Sequence, residues 1–143
     1  MSVIENFCKI YTDICQISPA DLENIYSKRI TFVDPITTHE GIEQVKAYFN
    51  NLLTQAESCK FHIHNTLTIA DPNSPVSHVV NWKMTLVLKR STKVITLDGT
   101  TQLKVEDEKI IYHKDYYDLG EMVYEHIPLL GSIIKMIKRR LAK

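Results

Sequence analysis

Lys109-Ile110-Ile111-Tyr112-His113-Lys114-Asp115-Tyr116-Tyr117-Asp118 reads as a strand by composition and by period. Isoleucine and tyrosine make up half of it, both residue types that suit a pleated, half-buried surface. Two-residue alternation puts Ile111, His113, Asp115 and Tyr117 on one face and Tyr112, Lys114, Tyr116 and Asp118 on the other. A face with an imidazole, a carboxylate and a phenol is either the lining of a pocket or a wetted sheet surface. Both readings stand at this point.

Val76 to Leu88 and Val94 to Val105 precede this segment and read as two further strands. Lys89-Arg90-Ser91-Thr92 and Glu106-Asp107-Glu108 join the three, and such short connections make antiparallel neighbours. Earlier still, Phe61, Ile63, Leu67 and Ile69 alternate with His62, His64, Thr66 and Thr68, before a turn cluster at Asp71-Pro72-Asn73-Ser74-Pro75.

The first sixty residues have a helical period. Ser2 and Glu5 stand at capping-box spacing ahead of Ile4, Phe7, Cys8, Tyr11, Ile14 and Cys15, one apolar face. Ser18-Pro19-Ala20-Asp21 starts a second helix carrying Leu22, Ile25 and Tyr26. Arg29 to Val33 is β-rich and ends at Asp34-Pro35, where proline bars the residue before it from the helical region. Thr37 to Gly41 reads as a loop. Ile42, Val45, Phe49, Leu52 and Leu53 mark a third amphipathic helix. After Gly120 the pattern is helical again, interrupted by Pro128 and Gly131, so residues 120–143 form a helical extension of a single 1–143 domain. The sum is an α+β domain, helices packed in a curved antiparallel sheet, with a C-terminal helix. Long strands curled around helices make a cone, and its open mouth is a natural ligand site.

Composition sets limits on function. The 143 residues suit one core. Hydrophobic residues at 44% and charged residues at 24% exclude a wholly disordered chain. No apolar run approaches the roughly 20 residues that cross a bilayer, and the N-terminus does not read as a secretory signal. Cys8, Cys15 and Cys59 lack metal-ligand spacing and fit reduced thiols, hence the expectation of a cytoplasmic protein. Formal charge is zero overall, yet Lys135, Lys138, Arg139, Arg140 and Lys143 crowd the last nine residues. Without them, 12 basic residues face 17 acidic ones, so nucleic acid is not an expected partner. On the terminal helix Leu130, Ile133, Ile134, Ile137 and Leu141 share a face. Packing on its own domain or dimer mate is the ordinary reading of that face, and peripheral membrane or partner contact by 129–143 the alternative.

The order of elements, Phe32-Val33-Asp34-Pro35 with Gly41-Ile42, Asn81-Trp82-Lys83-Met84, and above all His113-Lys114-Asp115-Tyr116-Tyr117-Asp118 resemble the SnoaL-like branch of the NTF2-like superfamily. The continuation Leu119 to Glu125 and Ile127 to Gly131 is similar to a bacterial, largely uncharacterised subgroup of it. This resemblance implies the cone, no cofactor, and homodimerisation through the outer sheet face. It places His113, Asp115 and Tyr117 toward the pocket, with Asp115 as acid/base aspartate, His113 as its partner and Tyr117 as donor to a ligand oxygen. Asp34 falls where related ketosteroid isomerases carry a general base, while its bland reading is a carboxylate that fixes the turn into the loop. Thr101 falls where those isomerases hold a protonated aspartate, and Tyr11 roughly where they hold a tyrosine. Threonine is the weaker acid, so steroid isomerisation itself is not expected. Trp82 and Met84 are expected on the apolar wall.

His62-x-His64 lacks a third ligand, so no metal is expected. The implied activity is cofactor-free acid/base chemistry of isomerase, cyclase or dehydratase type on a small apolar or polycyclic ligand. The alternative is a non-catalytic dimeric module for regulation or scaffolding.

Overall fold

The computed structural model describes residues 2–90, 93–122 and 128–142, and of 128–130 the backbone alone. Helix α1 spans Val3–Ile10, and the Glu5 amide donates to Ser2 Oγ at 3.1 Å. The expected continuation to Cys15 does not form as α-helix. Asp13 breaks it: its Oδ1 accepts the Cys15 amide (3.0 Å) and, from a distant strand, the Cys59 amide (3.2 Å). A single 3₁₀ turn, Ile14–Gln16, follows, and the second predicted helix is also 3₁₀, Pro19–Asn24. Tyr26, expected at the end of that helix, instead opens strand β1 (Tyr26–Val33). Strand β2 (Thr38–Glu40) lies in the expected loop, too short to register as alternation. Helix α2 covers Ile42–Gln55 and buries Ile42, Val45 and Phe49.

Strands β3 (Ala56–Thr68), β4 (His78–Leu88), β5 (Val94–Glu106) and β6 (Lys109–Tyr117) complete one curved sheet in the order β2-β1-β6-β5-β4-β3. Neighbours are antiparallel except β1 and β6, which run parallel with Phe32 opposite His113 and Val33 opposite Lys114. The helices fill the concave face, where Phe7, Tyr11, Ile14, Leu22, Val45 and Phe49 pack on Val80, Trp82, Met84, Leu97 and Leu103.

Two register shifts alter the predicted faces. Lys104 pairs with Tyr112 but Val105 with Ile110, so Ile111 is the extra residue of a bulge, and Ile110 takes its place in the core. On β3 the register steps from Ile63 to Asn65 past His64, and Leu67, expected inward, is exposed.

Beyond β6 lie a short helix α3 (Leu119–Met122) and helix α4 (Pro128–Leu141). Gly131 does not interrupt α4. Its inner side meets Gly120, whose Cβ position would lie 3.4 Å from Ile134, and Lys138 pairs with Asp118. Ile133, Ile137 and Leu141 of the predicted stripe are exposed, and the Leu130 side chain lies outside the described residues. Among the described residues no helix is long and apolar enough to cross a membrane.

Candidate functional site

The β6 face that bears the imidazole and carboxylate points inward. His113 is fully buried, stacked on Phe32 with ring centroids 4.1 Å apart. Its Nε2 lies 2.7 Å from Asp115 Oδ1, and its Nδ1 lies 2.8 Å from the Tyr26 hydroxyl. Tyr26 in turn meets the Tyr11 hydroxyl at 2.8 Å. From the other side, Trp82 Nε1 donates to Thr101 Oγ1 (2.8 Å), and the Thr101 hydroxyl donates to the same Asp115 Oδ1 (2.6 Å).

One proton per link closes this network. Indole N–H can only donate, so Thr101 must pass its own proton to Asp115. His113 turns Nε2 to Asp115 and Nδ1 to the Tyr26 hydroxyl, so with a proton on Nε2 it donates to the carboxylate. Burial holds both phenols far above their ordinary pKa, with the neighbouring Asp115 charge a further cause, so they remain donors. Every arrow ends on Asp115 Oδ1.

Asp115 is also a wall of a cavity of about 70 Å³ inside the cone. Tyr11, Phe32, Tyr48, Phe49, Phe61, Trp82 and Tyr117 supply aromatic surface to it, and Met84, Leu86, Leu97 and Met122 aliphatic surface. Of the predicted site residues, Asp115, Tyr11, Trp82, Met84 and Tyr117 therefore meet at one hollow. Thr101 and His113 do not reach it, because their polar atoms are spent on Asp115 from behind, and their role is to position it. Room for the Trp82 indole comes from the strand opposite: a Cβ on Gly99 would lie 2.3 Å from the ring.

Asp34 stands apart. The parallel ladder sets Val33 beside Lys114, so Asp34 and Asp115 follow as neighbours, and both border a surface groove of about 530 Å³ with Pro35, Lys114, Tyr116 and Tyr117. Asp34 Oδ1 accepts the amides of Ile36 (2.8 Å) and Thr37 (2.9 Å), the turn-fixing role of an Asx residue. Its Oδ2 is buried without a protein partner. Asp34 is not on the cavity wall.

Tyr26 and Tyr48 escaped the sequence reading. Two-residue steps back from Asp34 through Phe32 and Ile30 lead to Tyr26, a signal masked by the helical spacing before it. Tyr48 falls three residues after Val45 on α2, inside the apolar stripe. Burial first, then the Asp34 carboxylate, push the Tyr48 phenol far up; burial and both aspartates do the same to Tyr117. His39, in the segment read as a loop, packs on Tyr48 with centroids 4.5 Å apart. His62 and His64 lie 5.1 Å apart, and no group of three metal-ligating side chains occurs among the described residues. Cys59 lines the cavity as a thiol that burial keeps protonated.

A curved sheet wrapped on helices is the architecture of the NTF2-like cones. Residues 16–113 match the family model of the SnoaL-like domain, and the chain belongs to that family. No curated protein matches it in sequence. Among solved structures it is similar to a protein with a ketosteroid isomerase-like fold from Catenulispora acidiphila DSM 44928, in complex with trimethylamine. That likeness has 19% identity and a TM-score of 0.71, and covers 83% of this chain and 87% of that one. An NTF2-like protein of unknown function from Exiguobacterium sp. 255-15 gives 17% identity and a TM-score of 0.68, over 82% and 99% of the two chains. An LEH-like epoxide hydrolase from M. tuberculosis gives 11% identity and a TM-score of 0.67, over 96% and 93% of the two chains. These likenesses concern the fold.

Proposed function

We propose that the chain binds a compact small molecule inside the cone and acts on it by cofactor-free proton transfer, with Asp115 as the base. One observation carries this reading: Asp115 is anchored through one oxygen by Thr101 and His113 and borders an otherwise apolar hollow. A proton leaving the ligand would pass to Asp115. The charge left on a ligand oxygen would be met by the Tyr117 and Tyr48 phenols, both kept protonated by burial. His113, Tyr26 and Tyr11 sit behind the base and hold its orientation.

Size narrows the ligand. A hollow of about 70 Å³ supports a compact molecule or fragment over a polycyclic one. The Catenulispora neighbour's trimethylamine, four non-hydrogen atoms, is of matching scale. Asp34, at the groove outside, meets the part of a ligand that extends through the mouth.

Fragments incubated with the protein in D₂O test this. Carbon-bound protons of a bound fragment should exchange with the wild type and stop exchanging with Asp115→Asn. Equal exchange in both would remove Asp115 as base. The same small hollow also suits the second reading, a non-catalytic module dimerising on its outer sheet face. Sedimentation showing a dimer, with no fragment perturbing cavity residues, would favour that reading instead.

A further inference from the structure

We infer that the ligand of this cavity is an organic cation, a compact alkylated amine or quaternary ammonium. The inference rests on the pocket reading above and adds the sign of the ligand's charge. Among the described residues no lysine, arginine or histidine lines the hollow, while Asp115 does. The groups that bond Asp115, Thr101 and His113, sit behind it and orient the carboxylate, and neither lines the hollow. Asp34, one residue past the end of the ladder, is a second carboxylate, buried beside the cavity-lining phenols Tyr48 and Tyr117, and Lys114 borders the outer groove with it. An anion walled by apolar surface gains most from a cationic occupant.

The walls repeat the preference. Tyr11 meets Phe61 at 81° and 5.2 Å between centroids, Phe61 meets Trp82 at 72° and 4.9 Å, and Trp82 meets Tyr117 at 60° and 6.4 Å. Rings set steeply on one another enclose the hollow as a box, and Tyr48 and Phe49 line it from α2. Ring faces carry negative quadrupole density, and a box of aromatic walls is the arrangement that holds alkylated ammonium groups. Neither a carboxylate-bearing nor a phosphate-bearing ligand fits beside Asp115 without like-charge repulsion. A neutral hydrocarbon would fill the box but leave the carboxylate unanswered.

The test is a titration of the full chain at constant ionic strength with tetramethylammonium, with tert-butanol as a neutral probe of similar shape. The indole N–H resonance of Trp82, the single tryptophan, reports on both. Expected are saturable shifts with the cation and weaker binding of the alcohol. Asp115→Asn should lower cation affinity at the indole by roughly tenfold or more, the loss of a charged partner. Trp82→Leu, which lacks the indole and is followed instead by saturation transfer to the methyl protons of the cation, should lower it roughly 30-fold, the worth of one desolvated cation–π contact. Alcohol binding as tight as cation binding, or cation affinity unchanged in Asp115→Asn, overturns the charge assignment and leaves the pocket standing. Failure of both probes to move the indole resonance overturns the assignment together with the pocket.

Discussion

Asp34 and Asp115 end up side by side on parallel strands and border one groove, yet their carboxylates are held in opposite ways. Asp34 is held by backbone, two amides of its own turn. Asp115 is held by side chains, Thr101 of β5 and His113 of its own strand, and through them by Tyr26 of β1, Tyr11 at the end of α1 and Trp82 of β4. Local bonds fix a turn wherever the turn lies. Bonds gathered from across the core fix a group in space relative to a cavity. The contrast assigns Asp34 to architecture first and Asp115 to the ligand.

His113 is the test of that contrast with the largest expected effect. Replacing it with alanine removes a fully buried ring, orphans Tyr26 and takes one donor from Asp115, and truncations of buried aromatic side chains cost about 3–5 kcal/mol. Urea denaturation should show a loss of that order, and a loss no larger than that of a surface substitution would break the network reading. Gly99→Ala drives a methyl group into the Trp82 ring, and overpacking of this kind costs about 1–3 kcal/mol. It should also shift the Trp82 indole resonance.

The aspartate pair sharpens the comparison directly. Asp34→Ala leaves the Ile36 and Thr37 amides without their acceptor, at about 1–3 kcal/mol, while Asp34→Asn keeps a side-chain oxygen there and should cost less. Asp115→Asn should be mild in stability and severe in ligand binding, the reverse order.

Asp118 supplies the smallest effect, in pH. A hydrogen bond from Lys138 holds its carboxyl below the usual range, and the pair ties the end of β6 to α4. A carboxyl depressed on folding contributes stability above its unfolded pKa and loses it as pH falls through the folded value. Amide exchange in α4 should therefore quicken only in acid, below the ordinary carboxylate range, and Asp118→Asn should abolish that step. An exchange step near neutrality would contradict it.

Long periodic elements were legible. Alternation put Val80, Trp82, Met84 and Leu86 on one face and His113 with Asp115 on one face, and the family resemblance turned the latter face toward the pocket. Bulges were not, since one extra residue reverses every later face: Ile111 yields to Ile110, and Leu67 turns outward. Nor was the shared proton network, which joins residues as far apart as Tyr26 and His113 and depends on the parallel β1–β6 pairing. His113 bonds Asp115 as the resemblance implied, while Thr101, set by it at the place of the isomerases' protonated aspartate, spends its hydroxyl on Asp115 and does not line the cavity. Alternation gives a residue's face, but distances decide whether its polar atoms reach the cavity or a neighbour.

The central claim is that Asp115, and not Asp34, is the ligand's carboxylate within the cone. A fragment titration followed at the Trp82 indole in wild type, Asp34→Asn and Asp115→Asn measures it. Affinity should be lower by roughly tenfold or more in Asp115→Asn, the cost of losing a charged hydrogen-bond partner, and little changed in Asp34→Asn. Equal losses in the two variants, or a loss confined to Asp34→Asn, would contradict it.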